Sequence, residues 1–148
     1  MKRRTVVALL ALFVMGLAAQ GQAQSWKIGY GSDKGMVAVY NSKTDPKFAE
    51  DAPYGPMAFR VFAENLWLLD SIGGRIYGFD QQNSLKTQIS VPGLEGFKLL
   101  EDFALITGAS GQPETAWVAD AAGCFVRKLS LADGKELLRI GGRGTEPG

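Results

Sequence analysis

Leu66-Trp67-Leu68-Leu69-Asp70-Ser71-Ile72-Gly73 decides the fold once it is laid over Ala116-Trp117-Val118-Ala119-Asp120-Ala121-Ala122-Gly123. Tryptophan, aspartate and glycine each recur at an offset of 50 residues. In the first copy apolar side chains fall on both parities, as expected of a strand covered on both faces rather than one with a wet side. A unit of four antiparallel strands takes about 40–50 residues, and such units bury both of their faces by stacking on neighbours.

Outward from this repeat, short β-branched or aromatic runs alternate with turn residues, and helix signals are nearly missing beyond the N-terminus. Strands are expected at Met36–Tyr40, Ala58–Phe62, Asn65–Asp70, Arg75–Phe79 and Leu85–Val91. A second series is expected at Asp102–Thr107, Thr115–Ala119, Phe125–Leu131 and Lys135–Ile140. Gly73-Gly74, Pro92-Gly93 and Asp133-Gly134 supply turn chemistry between them. The stretch from Asn41 to Lys47, continuing to Pro53-Tyr54-Gly55-Pro56, has little periodicity and reads as a long surface loop.

Gly55-Pro56-Met57-Ala58-Phe59-Arg60-Val61, then Asn65-Leu66-Trp67-Leu68-Leu69-Asp70, then Gly74-Arg75-Ile76-Tyr77-Gly78-Phe79-Asp80 together resemble the NHL repeat. In the second copy Trp117-Val118-Ala119-Asp120 matches, while Phe125 stands at the place of Arg75 and the nearest arginine, Arg127, lies two places on. The resemblance implies an all-β fold: antiparallel four-stranded blades of an incomplete β-propeller, preceded by a signal-peptide helix. It divides the chain into a signal peptide (1–23), an N-terminal strand and loop segment (24–54), a first blade (55–97) and a second blade (98–140). Residues 141–148, rich in glycine, look like a connector to a next blade, so the chain is expected to be a piece of about two blades.

The N-terminus carries Lys2-Arg3-Arg4, an apolar run from Val6 to Ala19, and the small and polar Gln20-Gly21-Gln22-Ala23-Gln24. That order is a secretory leader, with Gly21 and Ala23 favouring a cut before Gln24 and Ala19 offering a second site. As a helix the apolar run would span about 21 Å, short of a hydrocarbon core of roughly 30 Å, so no permanent membrane anchor is expected. The protein is therefore expected in the periplasm or outside the cell. Without the leader, 13 basic and 15 acidic side chains remain, and this balance points to neither nucleic acid nor anionic lipid as partner. Cys124 is the only cysteine, so no internal disulfide staples the fold. Histidine is absent, which excludes histidine triads, histidine general bases and the usual histidine zinc sites.

Four side chains are candidates for ligand binding: Arg60, Asp70, Arg75 and Asp120. The two aspartates end matching strands, and their repetition favours a structural task, accepting turn N–H groups or pairing with an arginine. The arginines present a planar fork for an anion or for a local carboxylate. Trp67 and Trp117, at matched places within strands, are expected to pack between sheets rather than serve as sugar platforms. No catalytic, cofactor or metal residue is assigned. The first functional expectation is a binding or scaffold propeller for a protein, peptide or glycan, since loops on a rigid repeat can diverge without disturbing the core. Two others follow: a metal-assisted lactonase or lyase completed by further blades, as related six-bladed propellers imply, and a structural subunit that completes a ring by self-association.

Overall fold

The structure, a computed structural model, describes residues 24–39, 55–94 and 99–144. The leader expected over residues 1–23 lies outside them, as do Tyr40 of the first expected strand, residues 41–54 of the expected loop and residues 145–148 of the connector.

Eight strands form two antiparallel sheets: β1 (Ala58–Phe62), β2 (Asn65–Asp70), β3 (Arg75–Phe79) and β4 (Leu85–Ser90), then β5 (Leu100–Thr107), β6 (Pro113–Asp120), β7 (Phe125–Ser130) and β8 (Glu136–Gly141). Each sheet is a simple meander, β1-β2-β3-β4 and β5-β6-β7-β8. Backbone bonds extend the pairing past the strand ends, with Val91 N–H donating to Gly74 at 2.8 Å beside β3 and β4, and Leu131 N–H donating to Glu114 at 2.9 Å beside β6 and β7. The described residues are all-β, as the alternation of short apolar runs and turn residues requires.

The N-terminal segment departs from the expectation. Of the strand expected over Met36–Tyr40, the described part makes a single bridge, between Tyr30 and Val37. Val37 spends its own backbone groups locally: its N–H donates to Gly29 and its carbonyl accepts from Gly31 N–H, both at 3.0 Å. Val37 is thereby free to drop its side chain onto the first sheet, where it is buried with Leu66, Tyr77 and Phe79 and flanked by Trp26 and Ile28.

The main core lies between the two sheets. Trp67, Leu69, Ile76 and Ile89 of the first sheet meet Leu100, Phe103, Ala116, Val118 and Leu129 of the second. Alternation along β2 sends Leu66 and Leu68 to the Val37 side and Trp67 and Leu69 to the second sheet, so both faces are covered, as its unbroken apolar run demands. Gly78 makes room for the indole, since a Cβ there would sit 3.2 Å from the Trp67 ring and from Thr87. Arg60 adds a polar link between the sheets, pairing with Asp102 and standing 5.3 Å over the Phe103 ring.

The second sheet repeats this pattern on its far side, but there the positions face outward. Ala104 and Lys128 flank Trp117, Ala119 pairs with Val126, and Val126 pairs with Ile140, on the face opposite the core residues Ala116 and Val118. Val126 corresponds to Ile76 and Ile140 to Ile89 by strand pairing. The first-sheet pair is 0% and 6% exposed; the second-sheet pair is 43% and 55% exposed.

The β1–β2 turn shows a choice that composition conceals. Ala63 and Glu64, a two-residue loop, both take positive φ, 45° and 63°. That is the geometry of a hairpin turn ordinarily filled by Asn-Gly, and a side chain there costs about 1–2 kcal/mol per residue. The double variant Ala63→Asn, Glu64→Gly is expected to raise stability by about 1–2 kcal/mol. Urea unfolding measures this; an unchanged midpoint would show that the turn carries no strain.

Candidate functional site

The repeated Asp-x-x-Gly element is built around its carboxylate. Asp70 Oδ1 accepts the Gly73 N–H at 2.8 Å, and Asp120 Oδ1 accepts the Gly123 N–H at 2.9 Å. A Cβ on either glycine would run into the aspartate, so the spacing from Asp70 to Gly73 and from Asp120 to Gly123 is a packing requirement. Both aspartates are buried, at 0% and 2% exposure. Each therefore needs its partners within the protein.

The second carboxylate oxygen differs between the units. Asp70 Oδ2 accepts the Ala38 N–H at 3.2 Å, tying the N-terminal segment to the first sheet. Asp120 Oδ2 takes two bonds from the Arg127 guanidinium, at 2.6 and 3.0 Å. On sequence the aspartate–arginine pairing suits the first copy, through Arg75, better than the second. The ion pair instead forms in the second, where Arg127, on the same face two places along β7 from the residue paired with Asp120, reaches back to it with Nε and Nη2. Arg75, although directly opposite Asp70 in the β2–β3 register, gives its Nη1 to the Tyr77 hydroxyl at 3.2 Å.

Tyr77 and Arg127 stand at the same place in the repeat, and each reaches the unit before its own. The Tyr77 hydroxyl donates to the Met36 carbonyl at 2.7 Å, and Arg127 Nη1 donates to the Pro92 carbonyl at 3.0 Å. A buried polar side chain in the third strand thus locks each sheet to what precedes it. Neither residue stands out in the sequence, since tyrosine and arginine share no pattern and only the offset of 50 connects them.

Burial dominates at Asp70 and raises its pKa above the ordinary aspartate value, against the Gly73 and Ala38 N–H groups and the charge of Arg75, which pull it down. Glu136 is shifted the opposite way, first by its bond to Arg139 and also by Arg127. For Asp70 the sign follows from proton binding. Above about pH 4 the unfolded chain has released this proton while the folded chain still holds it, so stability falls as pH rises until the folded group also ionises. Asp70→Asn removes that titration. The stability of the variant relative to the parent is expected to rise with pH from about 4 upward and then level off. Unfolding curves taken at successive pH values would count against this if the difference between the two proteins were constant.

The four sequence candidates do not converge. Arg60 holds the two sheets together through Asp102, Asp70 and Arg75 sit at the β2–β3 turn, and Asp120 belongs to a separate open cleft of about 400 Å³ at the β6–β7 turn. This cleft is lined by Gly93 and Leu94 from the connection between the sheets, by Asp120, Ala122, Gly123 and Phe125, and by Arg127, Arg139 and Arg143. Sequence reading names Arg127 only as the arginine nearest the place of Arg75 and passes over Arg139 and Arg143; the three come together through the pairing of β7 with β8 and the chain just beyond it. Among the described residues, no three His, Cys, Asp or Glu side chains gather as a metal-binding group. No protein-family model matches the chain, and no curated protein matches it in sequence.

Proposed function

We propose that the chain is part of an exported, NHL-type β-propeller that works as a binding or scaffold module for a protein, peptide or glycan. One observation carries the propeller reading: the second sheet packs on the first through positions it repeats, uncovered, on its own far face. Trp67, Leu69, Ile76 and Ile89 are covered by the second sheet, while Trp117, Ala119, Val126 and Ile140 stand ready for another sheet of the same build. Radial repetition of this kind is how propellers bury their sheet faces. Export rests on the leader-like residues 1–23.

The binding role rests on rigidity beneath variable loops. Asp70 and Asp120 fix the β2–β3 and β6–β7 turns from within, and the second of these turns is open to solvent, with Ala121, Ala122 and Gly123 partly buried and Cys124 exposed. Arrays of peptides and glycans probed with the chain test this role. Saturable capture, lost when residues 121–124 are replaced and unaccompanied by turnover, is the expected result. Hydrolysis of a lactone with measurable turnover would favour the enzyme reading instead.

A further inference from the structure

The cleft beside Asp120 carries more positive charge than its fold requires. Three guanidiniums, Arg127, Arg139 and Arg143, stand against two carboxylates, Asp120 in the wall and Glu136 behind. Arg127 is spent on structure, with its donors committed to Asp120, Glu136 and the Pro92 carbonyl. It acts as a fixed positive wall rather than a hand.

Arg139 and Arg143 are different. Arg139 is held by a fork on Glu136, Nε at 2.8 Å and Nη2 at 3.0 Å, and its Cζ lies 4.7 Å from the Phe125 ring centroid. Those contacts orient the group, yet its Nη1 has no acceptor among the described residues. Arg143 gives only Nη2, to the Ala122 carbonyl at 3.1 Å, and its Nε and Nη1 likewise have none among the described residues. Gly93, at the edge of the cleft, takes a φ of 63°, a turn of the connection that favours glycine. Oriented, unspent guanidinium edges within one cleft are suited to a planar oxyanion, because the fork of N–H groups matches the two oxygens of a carboxylate.

We propose that this cleft binds the carboxylate of a small organic acid of sugar-acid size, held between Arg139 and Arg143 with Arg127 supplying field from behind. A volume of about 400 Å³ suits such a molecule and lies within the range of small-ligand pockets. The apolar floor of Leu94 and Phe125 receives its carbon skeleton. The inference rests on the binding role proposed above and names its ligand class. It does not depend on closure of a ring.

Titration of the isotope-labelled chain with glucuronate, glucose and inorganic phosphate, followed through the arginine Nε–H signals, tests it. Glucuronate is expected to move the Arg139 and Arg143 signals saturably, and glucose to leave them in place. Arg143→Ala removes a charge-assisted bond worth about 1.5–3 kcal/mol and is expected to weaken glucuronate about ten- to hundredfold. Arg143→Lys keeps the charge without the fork and is expected to recover only part of the loss. Arg139→Gln is a second variant with the same expected direction. Equal responses to glucuronate and glucose, saturation by phosphate alone, or unchanged affinity in both the Arg143→Ala and Arg139→Gln proteins would overturn the proposal. Capture of a neutral glycan or peptide elsewhere by a chain that ignores glucuronate would remove the carboxylate site and leave the binding role standing.

Discussion

Asp120→Ala is expected to cost on the order of 3–5 kcal/mol, because it leaves the Arg127 guanidinium buried without its main counter-charge. The Arg127 side chain is 3% exposed and its partner 2% exposed, so the guanidinium sits out of water and relies on that carboxylate. Glu136 remains 2.9 Å away, but it is shared with Arg139 and itself partly exposed. The same substitution orphans the Gly123 N–H and loosens the β6–β7 turn. Against a typical folding free energy of about 5–15 kcal/mol, a loss of this size removes a large share of the stability.

The destabilisation comes chiefly from the unpaired charge, not from the worth of the pair, and a double variant separates the two. Replacing a buried pair by apolar groups of similar volume is often neutral. Asp120→Ala together with Arg127→Met is therefore expected to regain much of what Asp120→Ala loses, measured by urea unfolding of the parent, both single variants and the double. Additive losses would show that Asp120 acts through the turn alone. The corresponding change in the first unit, Asp70→Ala, is expected to cost less, about 1–3 kcal/mol, since it strands backbone N–H groups and no fully buried arginine.

The contrast between the two aspartates shows what the sequence discloses and what it withholds. The meander strands are legible because each is an apolar run bracketed by Gly, Pro, Asn or Asp, and three of them, Ala58–Phe62, Asn65–Asp70 and Arg75–Phe79, have the bounds those signals set. The β1–β2 turn is not legible by residue type, because Ala63-Glu64 adopts a conformation that glycine or asparagine would announce. The N-terminal segment misleads for the opposite reason. Met36–Val39 has the apolar content of a strand, but the glycines at 31 and 35 bend the chain so that Val37 plugs a sheet instead of joining one. Side-chain partners depend on strand register and rotamer, which is why the arginine opposite Asp70 turns to Tyr77 while one two places farther on reaches Asp120. The arginine cleft is the extreme case, assembled from β7, β8, the chain beyond β8 and the connection between sheets, with no local motif to mark it.

Trp67 and Trp117, identical in the repeat, are expected to respond very differently to the same substitution. Trp67 is 8% exposed and packed into the core between the sheets, so Trp67→Ala is expected to cost about 3–5 kcal/mol through lost burial and the cavity it leaves. Trp67→Phe should cost much less. The indole N–H of Trp67 is buried with no acceptor among the described residues, so phenylalanine discards an unsatisfied donor along with part of the ring. Trp117 is partly buried, on the open face beside Ala104, Ala119 and Val126, and Trp117→Ala is expected to cost less than the core substitution, about 1–3 kcal/mol in the single chain. The missing cost has a definite location on the propeller reading: it belongs to the contact with a further sheet. That contact should be detectable as self-association of the chain through the same face. Val126→Lys with Ile140→Lys is expected to suppress it without lowering the melting temperature of the monomer, because both positions are about half-exposed already, at 43% and 55%. Light scattering and thermal melting of the parent and these four variants decide the matter. Equal losses at Trp67 and Trp117, or a parent that stays monomeric at every concentration, would mean that the second sheet is finished as it stands and that its likeness to the first does not extend to a neighbour.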